Sequence, residues 1–294
     1  MTGDRPLRVA LQGELGSFSD EAIQQLWGSD AERLPYRDFA DVTAAVAAGM
    51  ADRGILPIEN TIVGSIAASH DAISAMPGLF AVAETVVAVH HCLLAAPGVT
   101  LDTLSTVLSH PVALAQCGRF FASQPQLHVQ AVYDTAGAAM DVSRVADPTV
   151  AAVASRRAAH HYELDVVCAD IEDRPDNQTR FLAIATAPAP LPAGTPARTM
   201  LTLTAADRPG ALLHALTPLA AHGVSIRRLE PRPTGEPWCY RFFIEFDHAS
   251  GDAVAETVVQ DIAAVAADTR MLGTFPRWMP GRRGSVGWSR KDLG

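Results

Sequence analysis

The chain has 294 residues, 48% of them hydrophobic, with a formal net charge of −9 at pH 7. That length predicts two domains, with three as the alternative, and the acidic balance excludes the broad basic surface that nucleic acid or an anionic membrane would require. No apolar run approaches the ~20 residues of a membrane span, the N-terminus has no signal-peptide pattern and the cysteines are widely spaced, so we expect a cytoplasmic protein with reduced thiols.

The first predicted elements are a strand from Leu7 to Gln12, a glycine-containing turn and a helix with a buried apolar face. Ser17 stands where this helix begins, and free backbone N–H groups at such a position can bind an anion. Many α/β proteins begin in this way without a ligand, so the pattern predicts a possible site only in combination with others.

A second strand is predicted from Gly54 to Ile58, and Glu59, Asn60 and Thr61 follow it directly. They lie at its carboxyl end, where open α/β sheets place ligand contacts. The alternative is that Asn60 and Thr61 only cap the next helix, which we expect to open at Gly64 and Ser65.

The apolar segment from Phe80 to Leu94 is interpreted as two strands joined at Glu84 and Thr85, crossing between subdomains. It contains His90 and His91, but adjacent strand residues point to opposite faces, so both cannot easily bind one ion. We predict no metal site and no cofactor.

A short strand at residues 106–108 ends in Ser109 and His110, and Pro111 begins a helix that carries Gln116 on its other side. Strands and helices then alternate as far as Tyr162, which predicts a mostly parallel sheet with helices on both faces.

A polar loop enters an apolar strand at Asn177 to Phe181. There Arg180 can bind a carboxylate through two hydrogen bonds, and Thr179 can donate or accept one. Successive strand residues face opposite ways, so if only one touches a ligand we choose Thr179. Arg180 would then brace the loop against an acid, the candidates being Glu172, Asp173 and Asp176. The alternative is an ordinary loop-to-strand junction.

Proline-rich residues 187–198 indicate a stiff linker. Beyond it the pattern predicts β-α-β-β-α-β, the ferredoxin-like plan, over residues 199–280, and a Gly-, Arg- and Lys-containing tail at 281–294 that frays.

Several blocks in this order resemble the prephenate dehydratases that end in an ACT regulatory domain. The resemblance extends from about Leu7 to Pro276, and its blocks are Gly16-Ser17-Phe18-Ser19, Leu56-Pro57-Ile58-Glu59-Asn60-Thr61, Gly64-Ser65-Ile66, His91-Cys92-Leu93-Leu94, Ser109-His110-Pro111, Ala113-Leu114-Ala115-Gln116-Cys117, Asp134-Thr135-Ala136-Gly137-Ala138-Ala139 and Thr179-Arg180-Phe181. In the second domain Gly210-Ala211-Leu212 and Glu230-Pro231-Arg232-Pro233 resemble the motifs that frame a phenylalanine site, with proline where the family has serine.

The resemblance implies an α/β fold: a two-lobed, periplasmic-binding-protein-like catalytic domain at residues 1–186, its second subdomain at roughly 88–165, followed by a ferredoxin-like ACT domain. It implies decarboxylating dehydration of prephenate to phenylpyruvate, regulated by L-phenylalanine, in a homodimer or homotetramer. The predicted catalytic residues are Thr179 and Glu59; the predicted substrate-binding residues are Ser17, Asn60, Thr61, Ser65, Ser109, His110, Gln116, Arg180 and Phe181; the predicted effector residues are Gly210, Ala211, Leu212, Glu230, Arg232 and Pro233.

Three alternatives stay open at this point. An arogenate dehydratase differs only in a substrate that carries an amino group instead of the keto group. A non-catalytic amino-acid sensor or a prephenate decarboxylase would not need a donor at the leaving hydroxyl, and Thr179 argues against both.

Overall fold

The computed structural model describes residues 5–280, and these residues form three sheets. The tail predicted at residues 281–294 lies outside the described residues, as do residues 1–4. In the part of the chain that is described, no helix has both the length and the apolar character needed to cross a bilayer.

The first sheet and its helices form lobe 1. Its elements are β1 (Arg8–Gln12), α1 (Phe18–Trp27), β2 (Glu32–Tyr36), α2 (Phe39–Ala47), β3 (Arg53–Asn60), β4 (Gly64–Ser65), α3 (Ala67–Ala75), β5 (Phe80–Ala88) and, much later in the chain, β11 (Gln178–Ala185). The strand order is β2-β1-β3-β11-β5, with β4 paired to β3. The first three strands run parallel, whereas β11 is antiparallel to both of its neighbours.

The second sheet and its helices form lobe 2. Its elements are β6 (Cys92–Ala95), a 3-10 turn (Leu101–Thr103), β7 (Thr106–Ser109), α4 (Pro111–Ala115), α5 (Gly118–Ser123), β8 (His128–Ala131), α6 (Thr135–Val145), β9 (Val150–Ala154), α7 (Arg156–His161) and β10 (Asp165–Cys168). The order is β10-β6-β9-β7-β8. The chain crosses between the lobes twice, at residues 89–91 and 169–177. The two crossovers lie side by side, because Ile171 N–H donates to the carbonyl of His91.

The C-terminal domain consists of β12 (Pro196–Thr204), α8 (Ala211–Ala221), β13 (Ile226–Pro233), β14 (Tyr240–Ala249), α9 (Ala253–Val265) and β15 (Asp268–Pro276). Its antiparallel sheet has the order β13-β14-β12-β15. The predicted β-α-β-β-α-β order and the α/β fold with two lobes are confirmed.

The C-terminal sheet is covered on both faces. One face packs on α8 and α9 through residues such as Leu203, Ile244 and Ile262. The other shares a core cluster with lobe 1, in which Met200, Phe243, Leu272 and Phe275 meet the interior residues of α2, α3 and β11. Burying one apolar face against a neighbouring element is the usual source of stability for a sheet of this kind.

The backbones of the C-terminal domain and lobe 1 approach each other closely at Gly273. A Cβ atom built there would lie 2.3 Å from the carbonyl oxygen of Ala81 in β5, so a side chain cannot fit without moving one strand. Glycine at this position allows β15 to pack directly on lobe 1.

Three expectations need correction. The sheets are mixed rather than mostly parallel, because the strand that follows each crossover is antiparallel to its neighbours: β6 to β9 and β10, and β11 to β3 and β5. The apolar segment breaks at residues 89–91, and Glu84 and Thr85 lie inside β5. The helix expected after Pro111 is divided into α4 and α5 at residues 116–117.

Candidate active site

The site is built at the carboxyl end of β3 and the amino end of β11, where the two strands lie antiparallel. Asn60 and Thr179 are direct partners in this register. Their side chains lie on the same face, and Asn60 Nδ2 donates to Thr179 Oγ1 over 2.9 Å. Both are largely buried, with Thr179 8% exposed. The pairing therefore fixes an amide and a hydroxyl against each other at the edge of lobe 1, beside the crossovers.

The orientation of the Asn60 amide is determined by backbone groups. Its Oδ1 accepts from the N–H groups of Ile62 and Val63, both at 2.9 Å. An amide oxygen held by two N–H donors leaves the NH₂ group on the other side, and that group can only donate. Thr179 Oγ1 must therefore act as an acceptor toward Asn60, and its own proton is free to be donated elsewhere.

A second amide, Asn177, extends the network to lobe 2. Asn177 is fully buried, and its Oδ1 accepts from Asn60 Nδ2 at 2.8 Å. Its Nδ2 donates to Oε1 of Gln116, at the end of α4, over 3.3 Å. This chain of hydrogen bonds connects lobe 2 with the Thr179 hydroxyl.

His91, in the first crossover, completes the network. Its Nε2 lies 2.9 Å from Gln116 Oε1, and an amide oxygen only accepts, so Nε2 carries the proton. Burial lowers the pKa of His91, which keeps the ring neutral. Its Nδ1 is buried and has no hydrogen-bond partner among residues 5–280. The rings of Phe18 and His91 pack edge to face, with their centroids 5.7 Å apart. His91 thus presents an unused acceptor beside the cleft.

Glu172 holds the two crossovers together. Its Oε1 accepts from His90 Nδ1 at 2.7 Å, and its Oε2 accepts from the backbone N–H of His91 at 2.8 Å. Burial alone would raise the pKa of Glu172, but these two donors outweigh it and lower that pKa. Ligand atoms of His90, Asp170 and Glu172 lie within 4.8 Å of one another. The hydrogen bonds already account for Glu172, so this group is explained as a clamp between the crossovers.

The lobes also meet on the side of α1. Asp20 is buried and accepts from Arg157 of lobe 2 at 2.7 Å and from the backbone N–H of Gly16 at 2.9 Å. Burial raises the pKa of Asp20, but its hydrogen bonds to Arg157, Gly16 and Arg33 reverse the shift and lower it. Ser155 adds a hydrogen bond to the carbonyl of Gly16. The lobes are therefore in direct contact on this side of the cleft.

Other predicted substrate residues have local structural partners. Ser17 caps α1, Ser109 is buried and donates to the carbonyl of Val153 at 2.6 Å, and His110 caps α4 through Nδ1. Thr61 accepts from the backbone N–H of Gln178 at 2.9 Å. Their roles toward a substrate stay predictions.

Glu59, Ser65 and Arg180 lie on the opposite face of the ladder, which corrects the expectation that they serve the same site as Thr179. The Glu59 carboxylate accepts from Arg228 of the C-terminal domain at 2.9 Å, and Ser65 Oγ accepts from the same guanidinium at 2.8 Å. Strand residues alternate between faces, so Glu59 and Arg180 point away from the face shared by Asn60 and Thr179.

Arg180 also differs from expectation in its partners. Its hydrogen-bond partners are not the loop acids Glu172, Asp173 and Asp176. Arg180 donates to Glu84 of β5 at 3.0 Å and to both carboxylate oxygens of Glu245 at 2.6 Å. These carboxylates are buried, and their charge outweighs burial and raises the pKa of Arg180.

Phe181 is 2% exposed and belongs to the lobe 1 core with Leu11, Ile23 and Ile55. Its side chain packs in this core and does not line the cleft, which corrects its assignment as a substrate contact.

The predicted effector residues lie at the start of α8 and along β13. Gly210 precedes α8 with a φ of 79°, and Ala211 and Leu212 form the first turn. Arg232 is bonded to Asp71 of α3 at 2.6 Å and 3.0 Å, and Glu230 lies 3.8 Å from Arg228. Pro233 ends β13. This strand therefore faces lobe 1 with its charged residues.

Sequence reasoning did not assign Asn177, His91 or Glu245. Asn177 stands in the Thr179 segment itself, and the sequence singles out His91 only as one of two adjacent histidines and as the first residue of a block that carries the resemblance. Glu245 had a readable signal: one acidic residue within the apolar run Phe242 to Phe246 requires a buried cation.

Comparison with known proteins matches most of the chain to one family. A family profile described as prephenate dehydratase matches residues 9–189, and one described as ACT domain matches residues 199–267. The arogenate dehydratase/prephenate dehydratase 2 of Arabidopsis thaliana is 35% identical over 280 residues, covering 92% of this chain and 73% of that protein. The bifunctional chorismate mutase/prephenate dehydratase of Neisseria gonorrhoeae is 34% identical over 275 residues, covering 93% and 75%.

Two solved structures superpose over most of the chain, each with a TM-score of 0.84. One is the prephenate dehydratase of Arthrobacter aurescens in complex with L-Phe, 30% identical, covering 92% of this chain and 90% of that one. The other, described as a novel type of quorum quenching acylase, is 32% identical and covers 94% and 100%. On the match to both profiles and the extent of these alignments, the chain belongs to the prephenate dehydratase family and ends in an ACT domain.

Proposed function

We propose that this chain is a carbon–oxygen lyase that converts prephenate to phenylpyruvate, carbon dioxide and water. The observation that carries the proposal is the polarity of the Asn60–Thr179 hydrogen bond, in which Thr179 Oγ1 accepts and keeps its proton available. A neutral donor fixed in a buried site is what departure of a hydroxide requires.

The reaction requires little beyond a hydrogen-bond donor at the leaving oxygen. The electrons of the bond to the ring carboxylate complete the aromatic ring as the carbon–oxygen bond breaks, and the departing hydroxide takes up one proton overall. Charge on the leaving oxygen develops only in the transition state, so a hydrogen bond from Thr179 to that oxygen strengthens there and lowers the barrier. Threonine is a weak acid, so the role of Thr179 is hydrogen bonding or relay, with water supplying the net proton.

The substrate has two carboxylates, and we propose that backbone N–H groups and hydroxyls around Ser17, Thr61, Ser109 and His110 bind them, with Gln116 contributing from lobe 2. Arg180 is omitted from this set because three carboxylates already surround it. Glu59 is omitted as an acid because Arg228 holds it on the other face.

Arogenate dehydration is the second candidate, and the unused Nδ1 acceptor of His91 favours testing it, since an ammonium group can donate to that atom whereas a keto oxygen cannot. The acylase description of one structural relative finds less support. An acylase nucleophile needs a base at its hydroxyl, and the partner of Thr179 Oγ1 is an amide that donates.

We further propose that L-phenylalanine is the effector and binds at the ACT domain near Gly210, Glu230 and Arg232. The basis is the resemblance of these motifs and the L-Phe complex of the Arthrobacter aurescens relative. We also propose a homodimer or homotetramer, because β13 is an edge strand with its apolar Leu229 exposed.

The test is Thr179→Val, which keeps the shape of the side chain and removes its hydroxyl. We expect kcat for prephenate to fall about 10²–10³-fold with little change in KM, the usual loss of one such donor. Thr85→Val is the matched control, because Thr85 is also buried in the neighbouring strand and its hydroxyl donates to Gln25. A Thr179 variant that keeps kcat would refute the assignment, and kcat/KM for prephenate against arogenate identifies the substrate.

A further inference from the structure

Two pairs of opposite charges face each other where the ACT sheet meets lobe 1. Glu59 of β3 and Arg180 of β11 are direct partners in one sheet, and Arg228 of β13 and Glu245 of β14 are direct partners in the other. Arg180 binds Glu245 at 2.6 Å, Arg228 binds Glu59 at 2.9 Å, and Arg180 lies 3.6 Å from Glu59. We call these four residues the charge square.

Three of the four side chains are removed from solvent. The exposed fraction is 1% for Glu245, 9% for Arg228 and 12% for Arg180, against 47% for Glu59. Charge-assisted hydrogen bonds in so dry a place are stronger and more exact in geometry than those at a surface. The fully buried Glu84 of β5 adds a second acceptor for Arg180.

The charge square lies directly behind the catalytic pair. Glu59 immediately precedes Asn60, and Arg180 immediately follows Thr179. Adjacent residues of a strand point to opposite faces but share one backbone, so a shift of either charged side chain moves its neighbour on the cleft face. A misplacement of about 1 Å in a reacting group can lower a rate 10²-fold.

We propose that Glu245 and Arg228 of the ACT domain are positioning residues for the reaction: through Arg180 and Glu59 they hold Thr179 and Asn60 in register. The ACT domain thus contributes to catalysis without touching the substrate. This inference rests on the proposed function for its kinetic consequence, but the positioning itself can be measured without any turnover.

The experiment compares Glu245→Gln with Asp247→Asn. Asp247 lies two residues along β14 and is bonded to Arg198, Arg227 and Arg277, none of which belongs to β11. Both substitutions remove one carboxylate charge from the same strand. We expect Glu245→Gln to lower kcat about 10- to 100-fold at unchanged KM and to accelerate hydrogen exchange at residues 177–182. Asp247→Asn should leave kcat within about twofold and exchange at those residues unchanged.

Glu59→Gln is the second variant, because a half-exposed position tolerates the change even if Glu245→Gln fails to fold. It should lower kcat about 3- to 10-fold, again at unchanged KM and with faster exchange at residues 177–182. Folded variants with wild-type kcat and exchange would overturn the proposal, as would an Asp247 variant that matches Glu245→Gln in both. Should the wild-type protein leave prephenate and arogenate untouched, the proposed function fails, and exchange at residues 177–182 still decides the positioning.

Discussion

The two faces of the β3–β11 ladder differ in chemistry: one carries neutral hydrogen-bonding groups and the other carries buried ion pairs. On the cleft face Asn60, Asn177 and Thr179 form a network of neutral groups. On the ACT face, one residue away along the same strands, Glu59 and Arg180 join Arg228 and Glu245 in buried ion pairs.

On the neutral face the donor and the acceptor of each hydrogen bond are fixed, because each amide oxygen accepts and each NH₂ donates. That property makes Thr179 Oγ1 the acceptor of the Asn60 amide and leaves the Thr179 proton available, which a carboxylate at position 60 would not do. On the charged face the hydrogen bonds are strong, since each ion has oppositely charged partners that compensate the cost of its burial. The comparison indicates that substitutions on the cleft face should lower kcat with little loss in the free energy of unfolding. Substitutions that remove a charge on the ACT face should lower the free energy of unfolding more strongly.

The largest stability effect is expected for Arg180→Met. It leaves Glu245 and Glu84 buried without their closest cation, and Arg198 then lies 3.7 Å and 3.2 Å from them. Removing one partner of a buried pair typically costs about 3–5 kcal/mol. Chemical denaturation should show a loss of that size in the free energy of unfolding, against about 1–2 kcal/mol for Thr179→Val next to it.

The double variant Arg180→Met, Glu245→Leu is the control for this prediction. Replacing Arg180 and Glu245 by apolar groups removes one of the two carboxylates, and Glu84 keeps Arg198 at 3.2 Å, so most of the lost stability should return. If the single and double variants are equally unstable, the loss comes from packing and the ion pair is not its cause.

The next effect tests direction on the cleft face. In Asn60→Asp the new carboxylate can still accept from Ile62 and Val63 N–H, but it cannot donate to Thr179. The Thr179 hydroxyl would then donate to the introduced carboxylate, and its proton would be lost to the substrate. We expect kcat to fall about 10²–10³-fold with the fold intact.

Gln178→Glu is the matched control for Asn60→Asp. It introduces the same negative charge on an exposed side chain of β11, so kcat should stay within about twofold. An equal loss in both variants would mean that added charge, and not the direction of the hydrogen bond, is responsible.

Part of this arrangement could be predicted from the sequence. The alternation of Thr179 and Arg180 across a strand follows from backbone geometry alone, and the structure confirms it. The order of the ACT elements followed from periodicity and turn residues in the same way. β2 was not predicted, because the segment Glu32 to Tyr36 contains Pro35 and no apolar alternation.

The partners of Arg180 could not be predicted, because they depend on how two domains pack. Glu84 and Glu245 are distant from Arg180 in sequence, and although the apolar run around Glu245 indicates a buried acid, nothing local identifies Arg180 as its partner. Local patterns determine which face a side chain occupies, whereas the identity of a long-range partner comes from tertiary packing.

The last prediction concerns His70 of α3, a titrating group on the ACT face whose effect appears only at acidic pH. His70 is fully buried against the ring of Phe243, and its Nδ1 donates to the carbonyl of Ile66, whereas its Nε2 has no hydrogen-bond partner in the described part of the chain. Burial, with the charge of Arg228, lowers the pKa of His70 to about 4 despite the nearby Glu230 and Glu245. The unfolded chain binds the same proton near pH 6.5.

Between pH 6.5 and 4 the unfolded state therefore binds a proton that the folded state excludes, so stability is greatest above pH 6.5 and falls as the pH drops. The loss attributable to His70 should reach about 3 kcal/mol near pH 4. His70→Asn, which can still donate to Ile66, should flatten the dependence of the unfolding free energy on pH in this window, with His91 leaving a residual slope. His128→Asn, exposed on β8, should leave the dependence as in the wild type. Equal slopes in all three proteins would show that His70 is protonated without cost, and the ACT face would then tolerate a further positive charge beside Arg228.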